Sequence, residues 1–162
     1  MEKKHLSLLG VGPIYVSIIG VITLIAIILQ LNHIIPSYAF PIAYLSVAVG
    51  ILFILLGALI WIMAVVKSKL VSKIVSNELV TTGVFAYVRN PIYSAFMLIF
   101  SGILLLLNNM YLLLLPLLYW AFLSVLLIKT EEKWLLDLYK EQYEEYMKNV
   151  NRCIPMIRRT KG

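Results

Sequence analysis

The chain has 162 residues, 62% of them hydrophobic and only 14% charged, with a formal net charge of +6. That length suits one domain, and the composition leaves too little polar surface for a dispersed soluble protein. A single cysteine, Cys153, excludes an intrachain disulfide, and two widely separated histidines, His5 and His33, with no Cys or Asp beside them, argue against a histidine-based metal site.

No Asp, Glu, Lys or Arg occurs from His5 to Val66 or from Asn90 to Ile128. Since about 20 apolar residues cross a bilayer, the first stretch holds two spans and divides at Asn32–Ser37, where Asn, His, Pro and Ser cluster. It predicts helices over 13–31 and 38–66, the second long enough to tilt or project. The second stretch breaks at Asn108–Asn109 into spans over 91–107 and 110–128, joined as a tight antiparallel hairpin. The expectation is an all-α, multi-pass bundle of four transmembrane helices in one domain, 1–162. The loops 32–37 and 108–109 carry no Lys or Arg, so the positive-inside rule places both termini and the loop 67–90 in the cytoplasm. A prokaryotic cell membrane is the expected location. Glu2–Lys4 before an apolar run invites comparison with a signal peptide, but no small-residue cleavage site follows and a retained first span is expected.

The loop 67–90 ends in Asn90-Pro91, which reads as an N-cap and first-turn proline opening the third span. The same start directs unpaired backbone N–H groups at the interface, where a carboxylate or phosphate can be held. Arg89 beside it suits such an anion, although a lone Arg at a membrane interface is more often a lipid-headgroup anchor. After the fourth span, residues 131–148 read as an amphipathic interfacial helix. On a wheel of about 100° per residue, Leu135, Leu138, Tyr139, Tyr143 and Tyr146 share one arc. Lys133, Asp137, Lys140, Glu144 and Lys148 share another. Glu131 and Glu132 fall within the apolar arc, where a carboxylate is costly without a partner. They either complement the helix dipole or face a polar ligand between tail and bundle.

The run Leu79-Val80-Thr81-Thr82-Gly83-Val84-Phe85-Ala86-Tyr87-Val88-Arg89-Asn90-Pro91-Ile92-Tyr93 is followed by the Glu131–Glu132 pair. With Leu135, Tyr143, Tyr146, Val150, Arg152 and Pro155 beyond, the pattern resembles the isoprenylcysteine carboxyl methyltransferase and phospholipid methyltransferase superfamily. The resemblance covers Asn77 to Pro155. It implies S-adenosylmethionine as cofactor, with S-adenosylhomocysteine as product, held at the cytoplasmic end of the bundle. It further implies that Asn77, Leu79, Val80 and Phe85 line the adenosine portion, that Asn90, Pro91 and Tyr93 contact the methionine portion, and that Glu131 binds a polar group. Several positions depart from the pattern. Asn77 and Asn90 stand where many members have His, Val84 where Pro is common, Ala95 where Gly is common. Leu127 stands where the eukaryotic isoprenylcysteine enzymes have a substrate-contacting Arg, with Lys129 nearby.

Methyl transfer is an in-line displacement for which the protein aligns the acceptor and excludes water. A carboxylate acceptor is ionised at pH 7 and needs no base. A lipid amine must lose a proton, which Glu132 could take through water. Arg152 is the expected group for orienting an anionic acceptor or closing the tail, alongside Arg89. The expected partners are a lipophilic or lipid-modified acceptor and membrane lipid, with no nucleic acid. Two other readings stand beside this one: an NADPH-dependent reductase of the steroid 5α-reductase type, and a non-catalytic scaffold or transporter subunit. The absence of charged residues inside the spans argues against an ion pathway.

Overall fold

A computed structural model describes residues 10–68 and 70–155, so the basic ends Glu2–Lys4 and Arg158–Lys161 lie outside the described residues. Its α-helices are α1 (Gly12–Leu31), α2 (Ala43–Ile62), α3 (Leu70–Val75), α4 (Pro91–Leu106), α5 (Leu114–Lys129), α6 (Glu131–Tyr139) and α7 (Glu141–Asn149). A π-helical turn, Met63–Lys67, prolongs α2, and 3₁₀ turns occupy Gly83–Ala86 and Met110–Leu113. Three helical runs, Gly12–Leu31, Ala43–Lys67 and Met110–Tyr139, are long and apolar enough to cross a membrane, and Pro91–Leu106 is a shorter apolar helix. The protein is an all-α, multi-pass membrane bundle. Large apolar side chains such as Leu24, Leu52, Leu55 and Leu117 point outward from it, as they do when lipid is the solvent.

Close packing between α2 and α4 organises the bundle. Lipid tails are as apolar as leucine, so membrane helices associate through backbone proximity at small residues. Here Gly50 faces Gly102 and Gly57 faces Ala95, an antiparallel stripe seven residues apart on each helix. A Cβ on Gly50 would lie 2.8 Å from the Gly102 carbonyl oxygen, and one on Gly57 2.7 Å from that of Ala95. α1 and α5 also pack against α4. They meet each other through polar groups on apolar helices: Tyr15 Oη donates to the Tyr119 carbonyl at 3.4 Å, and Thr23 Oγ1 and Tyr119 Oη lie 2.8 Å apart.

The end of the bundle remote from the tail is fastened by Asn109. This buried side chain donates to Gln30 Oε1 at 2.7 Å and the Pro36 carbonyl at 3.0 Å, while its Oδ1 accepts from Tyr111 N–H at 3.0 Å. The Met110 amide donates to the Tyr38 carbonyl. These bonds account for one departure from expectation. The chain from Asn32 to Ile42 is committed to this latch, so α2 begins at Ala43 rather than Tyr38. Its α-helical turns stop at Ile62, and the π turn carries the run to Lys67, close to the expected end.

The tail departs further. A single helix was expected over 131–148, yet Lys140 adopts φ 47° and ψ −123° between α6 and α7. That conformation suits glycine, and it separates α7 from α6 as a helix of its own. Tyr143, Tyr146 and Val150 then form a small core with Leu79, Leu135 and Tyr139 partly buried against it.

Candidate active site

At the tail end of the bundle the helices diverge around a cavity of about 400 Å³, within the usual range of small-molecule sites. One wall is the start of α1, with Gly12, Pro13 and Val16, preceded by Gly10. A second is the loop and α4 start, with Leu79, Val80, Phe85, Arg89, Asn90, Pro91, Ile92, Tyr93 and Phe96. The floor is the tail, with Glu131, Trp134, Leu135, Tyr139, Tyr143 and Tyr146, and Glu78 lies at the rim. The lining is mostly apolar, so the few polar groups in it determine what can bind.

Glu131 is the half-buried carboxylate on this surface, whereas Glu78 is exposed. Thr130, at φ −126° and ψ −88°, ends α5 and turns the chain so that Glu131 opens α6 against α1 and α4. Its Oε1 accepts from Val11 N–H at 2.7 Å and from Tyr93 Oη at 2.5 Å.

Asn90 stands at the N-cap of α4, as expected, but its side chain does not cap the helix. Its Nδ2 donates instead to the Arg152 carbonyl at 3.0 Å, where the Asn90 backbone amide also bonds. The first-turn amides of α4 thus receive no side-chain acceptor from the N-cap, and Pro91 has no N–H to satisfy.

Beside the cavity lies a buried ion cluster. Glu132, with 4% of its surface exposed, accepts from Arg152 Nε at 2.6 Å and Nη2 at 3.0 Å, and pairs with Arg89 Nη2 at 3.1 Å. Arg89 Nη1 donates to Tyr143 Oη at 3.2 Å, and its Nε is buried without a hydrogen-bond partner. Burial pushes the Tyr143 hydroxyl up to about 12, so it stays neutral beside the guanidinium. The Glu132 carboxylate holds the Arg152 guanidinium above its ordinary range. The same contacts strap the C-terminal segment to the loop: Arg89 N–H donates to Asn151 O at 2.9 Å, and Ser94 Oγ to Cys153 O at 2.6 Å. Val88 and Asn151 form an isolated parallel bridge.

Of the residues expected at the site, Leu79, Val80, Phe85, Arg89, Asn90, Pro91, Tyr93 and Glu131 share this one cavity. Three do not line it. Asn77 takes φ 56° directly after α3, where Glu78 N–H returns to Lys73 O at 2.8 Å. Asparagine tolerates that left-handed position, which is a structural reason for its presence. Glu132 and Arg152 lie behind the wall, spent on each other and on Arg89, which leaves neither carboxylate nor guanidinium facing the cavity. Leu127 is buried in the helical core and Lys129 is exposed, neither of them at the cavity. Sequence reasoning missed the wall from α1 and the contribution of Trp134 and Phe96. The pair of glycines around Val11 was the only signal for the former.

The phospholipid methyltransferase family matches residues 42–142, more than half of the chain. The chain belongs to this family. It is similar to a protein-S-isoprenylcysteine O-methyltransferase of Schizosaccharomyces pombe, with 42% identity over 80 residues, covering 49% of this chain and 34% of that protein. It is also similar to a protein-S-isoprenylcysteine O-methyltransferase of Saccharomyces cerevisiae, with 37% identity over 94 residues, 57% of this chain and 38% of that protein. The matches thus span little more than a third of the relatives' length. No solved structure matches the chain significantly.

Proposed function

We propose that this phospholipid methyltransferase family member is an S-adenosylmethionine-dependent methyltransferase that acts on a lipophilic acceptor at the cytoplasmic face of the membrane. The observation that carries the reading is the cavity itself. It joins the Leu79–Tyr93 stretch to Glu131, which the sequence separates by a helical hairpin, and encloses a space of about 400 Å³. The orientation follows from the basic loop and tail under the positive-inside rule. The methyl acceptor is the carboxylate of an isoprenylcysteine-like molecule or a lipid amine.

The residues present suit the cofactor. It carries an ammonium, a sulfonium and a carboxylate, and supplies an already activated methyl group when bound. Glu131 offers an anchored carboxylate to a cationic group or a ribose hydroxyl. Across the cavity, Arg89 and the uncapped first turn of α4 favour an anion. Arg89 is already aligned by Glu132 and Tyr143, so it can present its charge without first losing rotamer freedom. The apolar remainder of the lining excludes water from the reacting groups. Glu132 acts through Arg89 in this arrangement rather than as a proton acceptor, because Arg152 and Arg89 engage its carboxylate and it does not line the cavity. A lipid amine would therefore have to yield its proton to Glu131 or to solvent.

Purified protein in detergent is expected to melt at a higher temperature with S-adenosylhomocysteine, since a ligand that binds the native state alone stabilises it by mass action. Glu131→Ala is expected to remove that shift. Stabilisation by NADPH instead would favour the reductase reading, and a response to neither would leave a scaffold. A methyl-transfer screen of prenylated cysteine analogues against amine lipids then decides the acceptor.

A further inference from the structure

Glu131 belongs to the tail, yet one of the two groups that grip its carboxylate comes from the opposite end of the chain. The Val11 amide, 120 residues earlier, donates to Oε1 at 2.7 Å, and Tyr93 Oη joins it at 2.5 Å. Two donors on two elements converge on this one oxygen and fix its position, and bonds to a charged acceptor are the strong kind.

The turn that delivers this amide tolerates no side chain on either flank. Gly10 takes φ 51°, and a Cβ there would fall on Glu131 Oε1 itself, with Tyr93 Oη 3.1 Å away. A Cβ on Gly12 would lie 2.9 Å from Tyr93 Cε1. Substitution at either position displaces the turn, the Glu131 carboxylate or the Tyr93 ring from the others. Val11 is buried and takes φ −90° at the entry to α1, so the amide is held by its own packing. None of these three residues lies within the stretch 42–142 that matches the family.

We infer that the Gly10–Val11–Gly12 turn is a positioning element of the cofactor site, which holds the Glu131 carboxylate at the cavity wall through the Val11 N–H. The inference deepens the methyltransferase reading and rests on it. Glu131 is the binding residue, and Val11 acts through it.

The test is the affinity for S-adenosylhomocysteine, measured by calorimetry on the full chain in detergent, with the ligand-free melting temperature recorded for every variant. Val11→Pro removes the N–H at a φ that proline nearly adopts, whereas Val11→Ala trims the side chain and keeps the amide. Val11→Pro is expected to bind about tenfold more weakly than Val11→Ala, the loss typical of one charge-assisted bond. In a Glu131→Gln background the bond is a neutral one, and the gap between the two variants is expected to shrink to about threefold. A purely structural defect would leave the gap the same in both backgrounds, and that result would overturn the inference, as would equal binding by Val11→Pro and Val11→Ala. Should Val11→Pro fold poorly, Gly10→Ala serves in its place: weakened binding supports the inference, and binding equal to the unaltered protein refutes it. If the unaltered chain bound no S-adenosylhomocysteine, the methyltransferase reading would fall and take the inference with it. If the unaltered chain binds and the variants behave alike, only the inference fails.

Discussion

Lys140 holds a backbone conformation, φ 47° and ψ −123°, that costs a residue with a side chain of order 1–3 kcal/mol. Its side chain is exposed, so little is lost by removing it. Lys140→Gly is expected to stabilise the protein by about 1 kcal/mol, read as a higher melting temperature in detergent. A lower melting temperature would mean that the lysine contributes more than its strain costs. The same position marks where the sequence misleads. Wheel periodicity runs through Lys140 without interruption, because α6 and α7 each present their apolar side chains to the same cavity and core, and a chiral reversal between them leaves the pattern intact. Glu131 and Glu132 illustrate a related limit. Both fall on the apolar arc and are indistinguishable by position, yet one lines the cavity and the other is enclosed by Arg89 and Arg152. Only the chain's path after Thr130 separates them.

At the scale of elements, the Glu132 cluster and the α2–α4 stripe each hold two segments together, by opposite means. Glu132→Ala would leave the Arg89 guanidinium buried without its counter-ion, a change that costs about 3–5 kcal/mol when such pairs are broken from one side. It should also loosen the strap from Val150 to Cys153. Burial pushes the Cys153 thiol up to about 11, so the native thiol is both enclosed and protonated at pH 8. Alkylation of Cys153 at that pH is therefore expected to be slow in the unaltered protein and much faster in Glu132→Ala. Equal rates would show that the strap is held by its backbone bonds to Arg89 and Asn90 alone. In the stripe, Gly57→Leu has no room beside the Ala95 carbonyl and Ile99 and should separate α2 from α4, with loss of folded, detergent-soluble protein. These helices were legible in the sequence because lipid enforces long uncharged runs and interrupts them only at polar ends. The 3₁₀ turn at Gly83–Ala86 and the late start of α2 were not, since they answer to tertiary bonds such as Tyr146 Oη to Phe85 O and Asn109 Nδ2 to Pro36 O.

Across the whole molecule, the two ends of the bundle are built differently. The Asn109 latch draws α1, the Asn32–Ile42 segment and the α4–α5 hairpin together at one end, while the cavity keeps the helices apart at the other. The part of the cavity lined by Leu79–Tyr93 and Glu131 could be read in advance, because those residues are grouped in two short stretches. The α1 wall could not, since a single glycine on each side of a valine has many ordinary explanations. The contact between Val11 and Glu131 also has a bearing on biogenesis. Ribosomal synthesis delivers the glycine turn 120 residues before its carboxylate partner, so this contact closes only after α5 has been made. Chains released before Glu131 would carry the apolar helices α1, α2, α4 and α5 yet lack the acceptor that the Val11 amide awaits.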